Sequence, residues 1–420
     1  MSAKPQIVAG FMPLLDSAVL VAAKVKGFAD AEGLDLALVR ETSWANIRDR
    51  MAVGHFQVAH VLAPMPIASN LGLTPLAVPT IAPMALGLGG NAITVSNELW
   101  ARMVEHGAAA DFDPARAGRA LKQVVAARAA RSEPVLRFAV VHPYSGHNYE
   151  LRYWLAACGI DSAQEVDIVI VPPPLMADAL ASGAIDGYCV GEPWNTAAAL
   201  LGRGHIATVK AAIWRSSPEK VLSAGAKWAQ DNADALAALL RALCRSAQWC
   251  AQPANREELA RILADKAYVA RPAEWMLRGL SGELDAGDVR RAEDFFVPFA
   301  KAATFPWKSH ALWFYSQMVR WGQVAHTAEN AKIARETYRP DLYRAALKPL
   351  GIALPVANAK VEGALRSPTP VRARQLHPIL TTPMPSGTSR RCAAGARSPR
   401  PSRMAGMRTS PRTSTARRSI

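Results

Sequence analysis

Two histidines, three tyrosines, a tryptophan, a glutamate and an arginine crowd into HPYSGHNYELRYW, the stretch from His142 to Trp154. Such a mixture suits neither a plain core helix nor a plain loop, and three kinds of chemistry can be weighed against it. A metal site needs more ligands than this. His142 and His147 stand five residues apart, on different faces of a helix, and no Cys or His pair of matching spacing lies nearby. A nucleophile needs a base oriented by a third group. Cys189, in DGYCVGEP beside Glu192, has no such arrangement in view, and a thiol in an apolar strand reads as core. An anion site asks only for donors. His147 follows Gly146 where a helix begins, and amide N–H groups at a helix N-terminus favour negative charge, to which a donor side chain adds. The plainer alternative for His147 is a surface or capping histidine. His142, Tyr144 and Tyr149 read as cleft wall or packing, and Arg152 as the partner of an acid on its own helix.

Other signatures are weak or missing. GLGGNA, Gly87 to Ala92, fits a loose G-x-G-x-x-A pattern, but a dinucleotide loop needs a strand before it and a helix after. Here the strand AITV follows, so the glycines serve a turn or a close backbone approach. There is no Walker A lysine motif, no HExxH, no GxSxG and no CxxC pair. Neither an enzyme nor a bound cofactor is expected.

The elements around these residues alternate. QIVAGFMPLLDSAVLVAAKVKGFADAEGLDLALVR reads as strand, helix, strand, with Asp16 and Ser17 as candidate caps for a helix from Ala18. SWANIRDRMAVGHF is a helix that Ser43 can cap, and QVAHVLAP is a third strand. The pattern restarts after about residue 134: VLRFAVVHP, the helix near His147, VDIVIVPPP, the helix LMADALASGAID, then GYCVGEPW. Repeated β-α-β units imply parallel sheets. Two α/β lobes with a cleft between them are expected, with residues 1–100 opening lobe 1 and 101–225 forming lobe 2. From Trp228 the periodicity is helical, so residues 226–365 are expected to return to lobe 1 as a helical part.

Residues 366–420 hold 12 Arg and no Lys, Asp or Glu. Without them the chain has 37 basic and 34 acidic residues, so the net +15 belongs mainly to the tail and direct nucleic-acid binding by the body is not expected. This tail is expected to be disordered. A translated frameshift is the preferred reading of it, with a basic arm for RNA as the alternative. Residues 51–97 carry no charged side chain, but Pro64, Pro66, Pro75, Pro79 and Pro83 break any spanning helix, so no membrane role is expected. The N-terminus lacks the pattern of a signal peptide, since Asp16 interrupts its apolar run. Five cysteines without paired spacing suit a reducing compartment, and a cytoplasmic location is expected.

Several stretches taken together resemble one family. They are GFMPLLDSAVLVAAKVKGF, SWANIRDRMAVG, AHVLAPMPIASNLGL, GNAITVSN, HNYELRYWLAACGI, VPPPLMADALASGAIDGYCVGEPWN and SPEKVL, in order over about residues 5–360. The family is that of the nitrate-, nitrite- and bicarbonate-binding proteins related to ABC-transporter solute receptors. The resemblance implies a two-lobed, periplasmic-binding-protein-like (type II) fold that closes on a small planar anion. Within it the chain looks like the cytoplasmic NasS-type nitrate/nitrite sensors, which hold an ANTAR-domain RNA-binding antiterminator and release it when ligand binds. The alternative is an exported solute-binding component of an ABC transporter for nitrate, nitrite or bicarbonate. By the same resemblance His147 matches a nitrate-contacting histidine, Trp44 a tryptophan at the edge of the pocket and Lys220 the lysine that supplies positive charge. Asn91 matches an amide donor, while Pro173 and the Val190–Gly191 backbone line the pocket. Core packing for Trp44 and solvation for Lys220 are the plainer alternatives. Acid near Glu192 would suit metal-assisted bicarbonate binding, whereas His147 with Lys220 favours nitrate or nitrite.

Overall fold

The structure is a computed structural model and describes residues 4–360. The Arg-rich tail, with the disorder and the frameshift read into it, lies outside the described residues.

The inner apolar runs become strands with nearly every side chain buried, as covered sheets require, while the edge runs Asp35–Arg40 and Val166–Ile170 are mostly half-buried. The first are β1 (Gln6–Phe11), β2 (Asp35–Arg40), β3 (Val58–Leu62) and β4 (Thr80–Ala85). A two-residue strand, β5 (Leu88–Gly89), follows. Then come β6 (Asn91–Val95), β7 (Leu136–Val140), β8 (Val166–Ile170), β9 (Gly187–Gly191), β10 (His205–Val209) and β11 (Lys220–Gly225). Two five-stranded sheets result, ordered β2-β1-β3-β11-β4 and β10-β6-β9-β7-β8. In the first, β1 runs parallel to β2 and β3, while β11 is antiparallel to β3 and β4. In the second, β7 is parallel to β8 and β9, and β6 is antiparallel to β9 and β10. This is the two-lobed α/β architecture.

The chain passes between the sheets twice, after β4 and after β10. The second sheet therefore spans residues 91–209, and the expected break at 100 falls nearer 90. Strand β11, expected within lobe 2, belongs to the first sheet, where Lys220 lies opposite Leu62. Its run KVLSAG is apolar enough to be covered on both sides, and its register with VAHVL places it there. The first passage depends on glycine. Gly89 has φ +75°, and a Cβ there would overlap the carbonyl oxygen of Phe295. That matches the close-approach reading of GLGGNA.

Helix starts follow local caps. The Ser43 side chain accepts from the Asn46 amide before the helix Trp44–Ala52, and Ser145 accepts from the Asn148 amide before Gly146–Ala157. Asp16 and Ser17 do not act as expected. They sit in a 3-10 turn, Leu15–Ser17, where the Ser17 hydroxyl donates back to the Leu14 carbonyl oxygen. Ser17 precedes the helix Ala18–Val25 without a side-chain cap bond.

Beyond β11 the chain is mostly helical. Ala233–Cys250 and Pro340–Leu347 share a core with β1 and the helix Ala18–Val25, on lobe 1. One excursion departs from the expected return. Strands β12 (Glu283–Asp285) and β13 (Val289–Arg291) form a hairpin, and β14 (Phe296–Val297) pairs with β5. Leu284, Ala286, Ala292 and Phe295 there pack with Ile206 and Val209 of the second lobe. Another core joins Ala59 and Val61 of the first lobe to Ala139, Tyr188 and Val190 of the second, so the lobes are closed on each other. Among the described residues no helix is long and apolar enough to cross a membrane.

Candidate functional site

The cleft floor is assembled from chain turns at the edges of both sheets. Asp16 comes from the turn after β1, Trp44 from the first position of its helix and His60 from β3. Asn91 opens β6, and His147 and Glu150 lie on the first turn and a half of the helix Gly146–Ala157. Lys210 follows β10, while Glu219 and Lys220 mark the entry to β11. The two passages between the lobes thus deliver Asn91, Lys210, Glu219 and Lys220 to one place. No member of the cluster is more than 3% exposed.

Glu219 is the hub. Its Oε1 lies 2.7 Å from Lys220 Nζ and 3.4 Å from His147 Nε2. Its Oε2 accepts from Asn91 Nδ2 at 2.7 Å and from Lys210 Nζ. A Cβ on Gly146 would overlap this same Oε2, so the carboxylate lies against the N-terminus of the helix that carries His147. Lys210 also reaches Glu150 Oε1 at 2.6 Å, and Asn91 Nδ2 donates more weakly to Glu150 Oε2 at 3.3 Å. Lys220 reaches back to Asp16 Oδ2 at 2.7 Å, and Asp16 Oδ1 bonds His60 Nε2 at 3.0 Å. The Lys220 ammonium stands 5.5 Å from the centre of the Trp44 ring, which packs on His60.

Burial and charge set the protonation states. Burial pushes Glu150 up to about 8, and the neighbouring Glu219 adds to this against the pull of Lys210. Burial pushes Glu192 up to about 7. Burial would raise Asp16 too, but Lys220 and His60 hold it at about 2. Glu219 likewise stays well below the usual carboxylate range, because Lys210 and Lys220 outweigh its burial. Both lysines are held above their ordinary value despite burial, Lys210 by Glu150 and Glu219, and Lys220 by Asp16 and Glu219. Burial takes His147 down to about 3 and lowers His60. At neutral pH the cluster therefore holds two ammonium groups, the Asp16 and Glu219 carboxylates, two neutral imidazoles and a Glu150 whose ionisation burial and Glu219 oppose.

Several polar atoms here are buried without a hydrogen-bond partner: Trp44 Nε1, Asn91 Oδ1 and both ring nitrogens of His147. A buried polar group left unpaired costs about 1–3 kcal/mol. Beside Lys220 they leave two N–H donors, the Trp44 indole and one His147 nitrogen, and two acceptors, Asn91 Oδ1 and the other His147 nitrogen, without partners.

The structure brings Trp44, Asn91, His147, Lys220 and Gly191 together. Gly191 faces the cluster, with its missing Cβ directed at Asn91 Oδ1 and Asp16 Oδ2. Val190 does not join them through its side chain, which lies in the interlobe core, and its carbonyl oxygen accepts from Asn195 Nδ2 at 2.9 Å. Pro173 is buried at the start of the 3-10 turn Pro173–Leu175 and can offer apolar bulk only. Lys220 is not solvated, and His147 is neither a surface nor a capping residue, since Ser145 makes the cap. Tyr149 packs, with its hydroxyl donating to Gln323 Oε1. His142 is buried and accepts from the Tyr144 amide. Arg152 pairs with no acid among the described residues: its guanidinium donates to Asn148 Oδ1 and Ser162 Oγ. Cys189 is a buried free thiol that burial raises well above its ordinary value.

Sequence reasoning passed over His60, Lys210, Glu219 and the true role of Asp16. One signal for His60 and Lys210 was available, since each is a lone polar residue in an apolar run, VAHVL and VKAAIW. Among the described residues no group of three or more His, Cys, Asp or Glu side chains is placed to hold a metal ion.

A model of the NMT1-like family matches residues 2–264. The nitrate/nitrite binding protein NrtA of Synechococcus elongatus is 35% identical over 353 residues, which cover 81% of this chain and 77% of that protein. The bicarbonate-binding protein CmpA of the same species is 28% identical over 365 residues, 82% of this chain and 78% of its own. The crystal structure of the periplasmic nitrate-binding protein NrtA from Synechocystis PCC 6803 superposes with a TM-score of 0.78 at 28% identity, covering 85% of this chain and 93% of that one.

Proposed function

We propose a function from the premise that the chain belongs to the NMT1-like family and stands there among nitrate-, nitrite- and bicarbonate-binding relatives: it binds nitrate or nitrite between its two lobes. One observation carries this reading. Trp44, Asn91, His147 and Lys220 converge from both lobes at the N-terminus of the helix Gly146–Ala157, with the Trp44 Nε1 donor and both His147 nitrogens buried and unpaired. A planar anion that only accepts hydrogen bonds suits a neutral imidazole donor, an amide, an indole N–H and an ammonium. The Trp44 ring beside Lys220 adds a flat wall that keeps water out. Bicarbonate differs by carrying an O–H that must itself donate.

The readout we propose is that of a cytoplasmic sensor. The open form holds an ANTAR-domain antiterminator, and closure on the anion releases it. The motif resemblance supports this. A second reading, an exported solute-binding component of an ABC transporter, is favoured by the 35%-identical relative being named a binding protein and by the superposed structure being periplasmic. Calorimetric titration with nitrate, nitrite and bicarbonate tests the ligand: saturable heats with the first two are expected, and none with either overturns the reading. Pull-down of an ANTAR-domain protein with and without nitrate tests the readout. Release by nitrate is expected for the sensor; no capture in either state, with the native protein fractionating outside the cytoplasm, leaves the transport reading.

A further inference from the structure

Two of the donors assigned to the anion, Asn91 and Lys220, are already engaged with a planar anion, and it is the protein's own. The Glu219 carboxylate lies against Gly146 at the helix N-terminus, accepts from Asn91, ion-pairs Lys210 and Lys220, and stands 3.4 Å from His147 Nε2. Its O–C–O group has the shape and charge of nitrite and of one edge of nitrate. Its place on the passage between β10 and β11 means that moving it moves the segment joining the lobes. We propose that the Glu219 carboxylate is a built-in occupant of the anion cradle, and that nitrate or nitrite binds by displacing it.

This rests on the anion-binding reading above and deepens it. An external anion beside an ionised Glu219 would meet a like charge in a dry site, which is strongly unfavourable at close range. Once Glu219 leaves, Lys210 and Lys220 lose the carboxylate they share, and the external anion replaces that negative charge. Glu219 then sets the affinity, because each ligand must outcompete a tethered carboxylate. It also sets selectivity: a free monocarboxylate offers the cradle nothing Glu219 does not already supply.

The test compares wild type with Glu219→Ala and Glu219→Gln, using nitrate, nitrite, formate and acetate as probes in calorimetry and thermal melts. Wild type is expected to bind nitrate or nitrite and to ignore formate and acetate. Glu219→Ala is expected to be stabilised by formate or acetate, and Glu219→Gln to bind nitrate at least tenfold more tightly, a gain of about 1.4 kcal/mol. If a variant folds only when one of these anions is present, that dependence is the predicted result in stronger form. Variants that fold without responding to formate or acetate and bind nitrate no more tightly overturn the proposal, as does failure of both to fold even in saturating anion. Should wild type bind neither nitrate nor nitrite while Glu219→Ala takes up formate, Glu219 is the cradle's occupant, but its displacement by these anions and the ligand assignment both fall.

Discussion

Replacing Lys220 by Met removes the cation that holds two buried carboxylates. Lys220 Nζ is 2.7 Å from both Asp16 Oδ2 and Glu219 Oε1. Glu219 keeps Lys210 and Asn91, but Asp16 is left with His60 alone. Breaking a buried pair by removing one partner costs about 3–5 kcal/mol, and Asp16 should bear most of it. A domain is stable by roughly 5–15 kcal/mol in all, so K220M sits near the edge of folding at neutral pH. The penalty must also depend on pH. In the wild type Asp16 is held at about 2, below its unfolded value near 3.9. It therefore contributes stability that is present above pH 4 and is lost as pH falls towards 2. Without Lys220 that contribution is gone, so wild type and K220M should converge as the pH drops below 4. The double variant D16N/K220M removes the stranded charge and should regain at least half of the loss. Urea unfolding at pH 7 and below pH 4, extrapolated to water, measures wild type, K220M, D16N and the double variant. A K220M cost under about 1 kcal/mol at pH 7, or a double variant whose cost equals the sum of the single ones, would refute the reasoning.

Two further outcomes follow from the same geometry. Gly89→Ala should cost more than the roughly 1–2 kcal/mol of a left-handed Ala backbone, because its Cβ would also overlap the Phe295 carbonyl oxygen; a melting temperature within a degree of wild type would count against it. Anion affinity should fall as pH rises through about 8. Glu150, facing Lys210, Glu219 and Asn91, is pushed up to about 8 by burial, and above that its ionisation adds a carboxylate charge beside the guest, so Kd climbs by up to about tenfold per pH unit above that point. A flat nitrate Kd from pH 7 to 9 would exclude this linkage.

Much of the scaffold could be read from residues alone, because the forces that make it are local. VAHVL and LRFAV are apolar runs that a covered sheet explains, and Ser43 caps its helix where the chain pattern turned. Arg152 shows where a local rule misleads. A helix brings i and i+4 together, and the residue four before Arg152 is Asn148, which it does bond; Glu150, only two before, points elsewhere, into the cleft. Asp16 shows the stronger failure. An acid before a helix is a fair cap by sequence, yet a buried ammonium from residue 220 outbids the helix amides for its carboxylate.

The residues named by motif resemblance were the donors, and the residues missed were chiefly their counter-charges. This asymmetry has a physical origin. Donors such as Trp44 and His147 are set by their own helices, so a local motif carries them. Counter-charges are set by which strand neighbours which, and that depends on the two passages that return β11 to the first sheet after β10 has closed the second. Glu219 sits beside Lys220 in SPEKVL, where adjacent opposite charges usually mean a solvated turn. Only the crossover turns both inward, to within reach of residues 16, 91, 147 and 210. The segment that links the lobes is thus the segment that carries the cradle's charge, and any anion that rearranges those charges acts directly on the link.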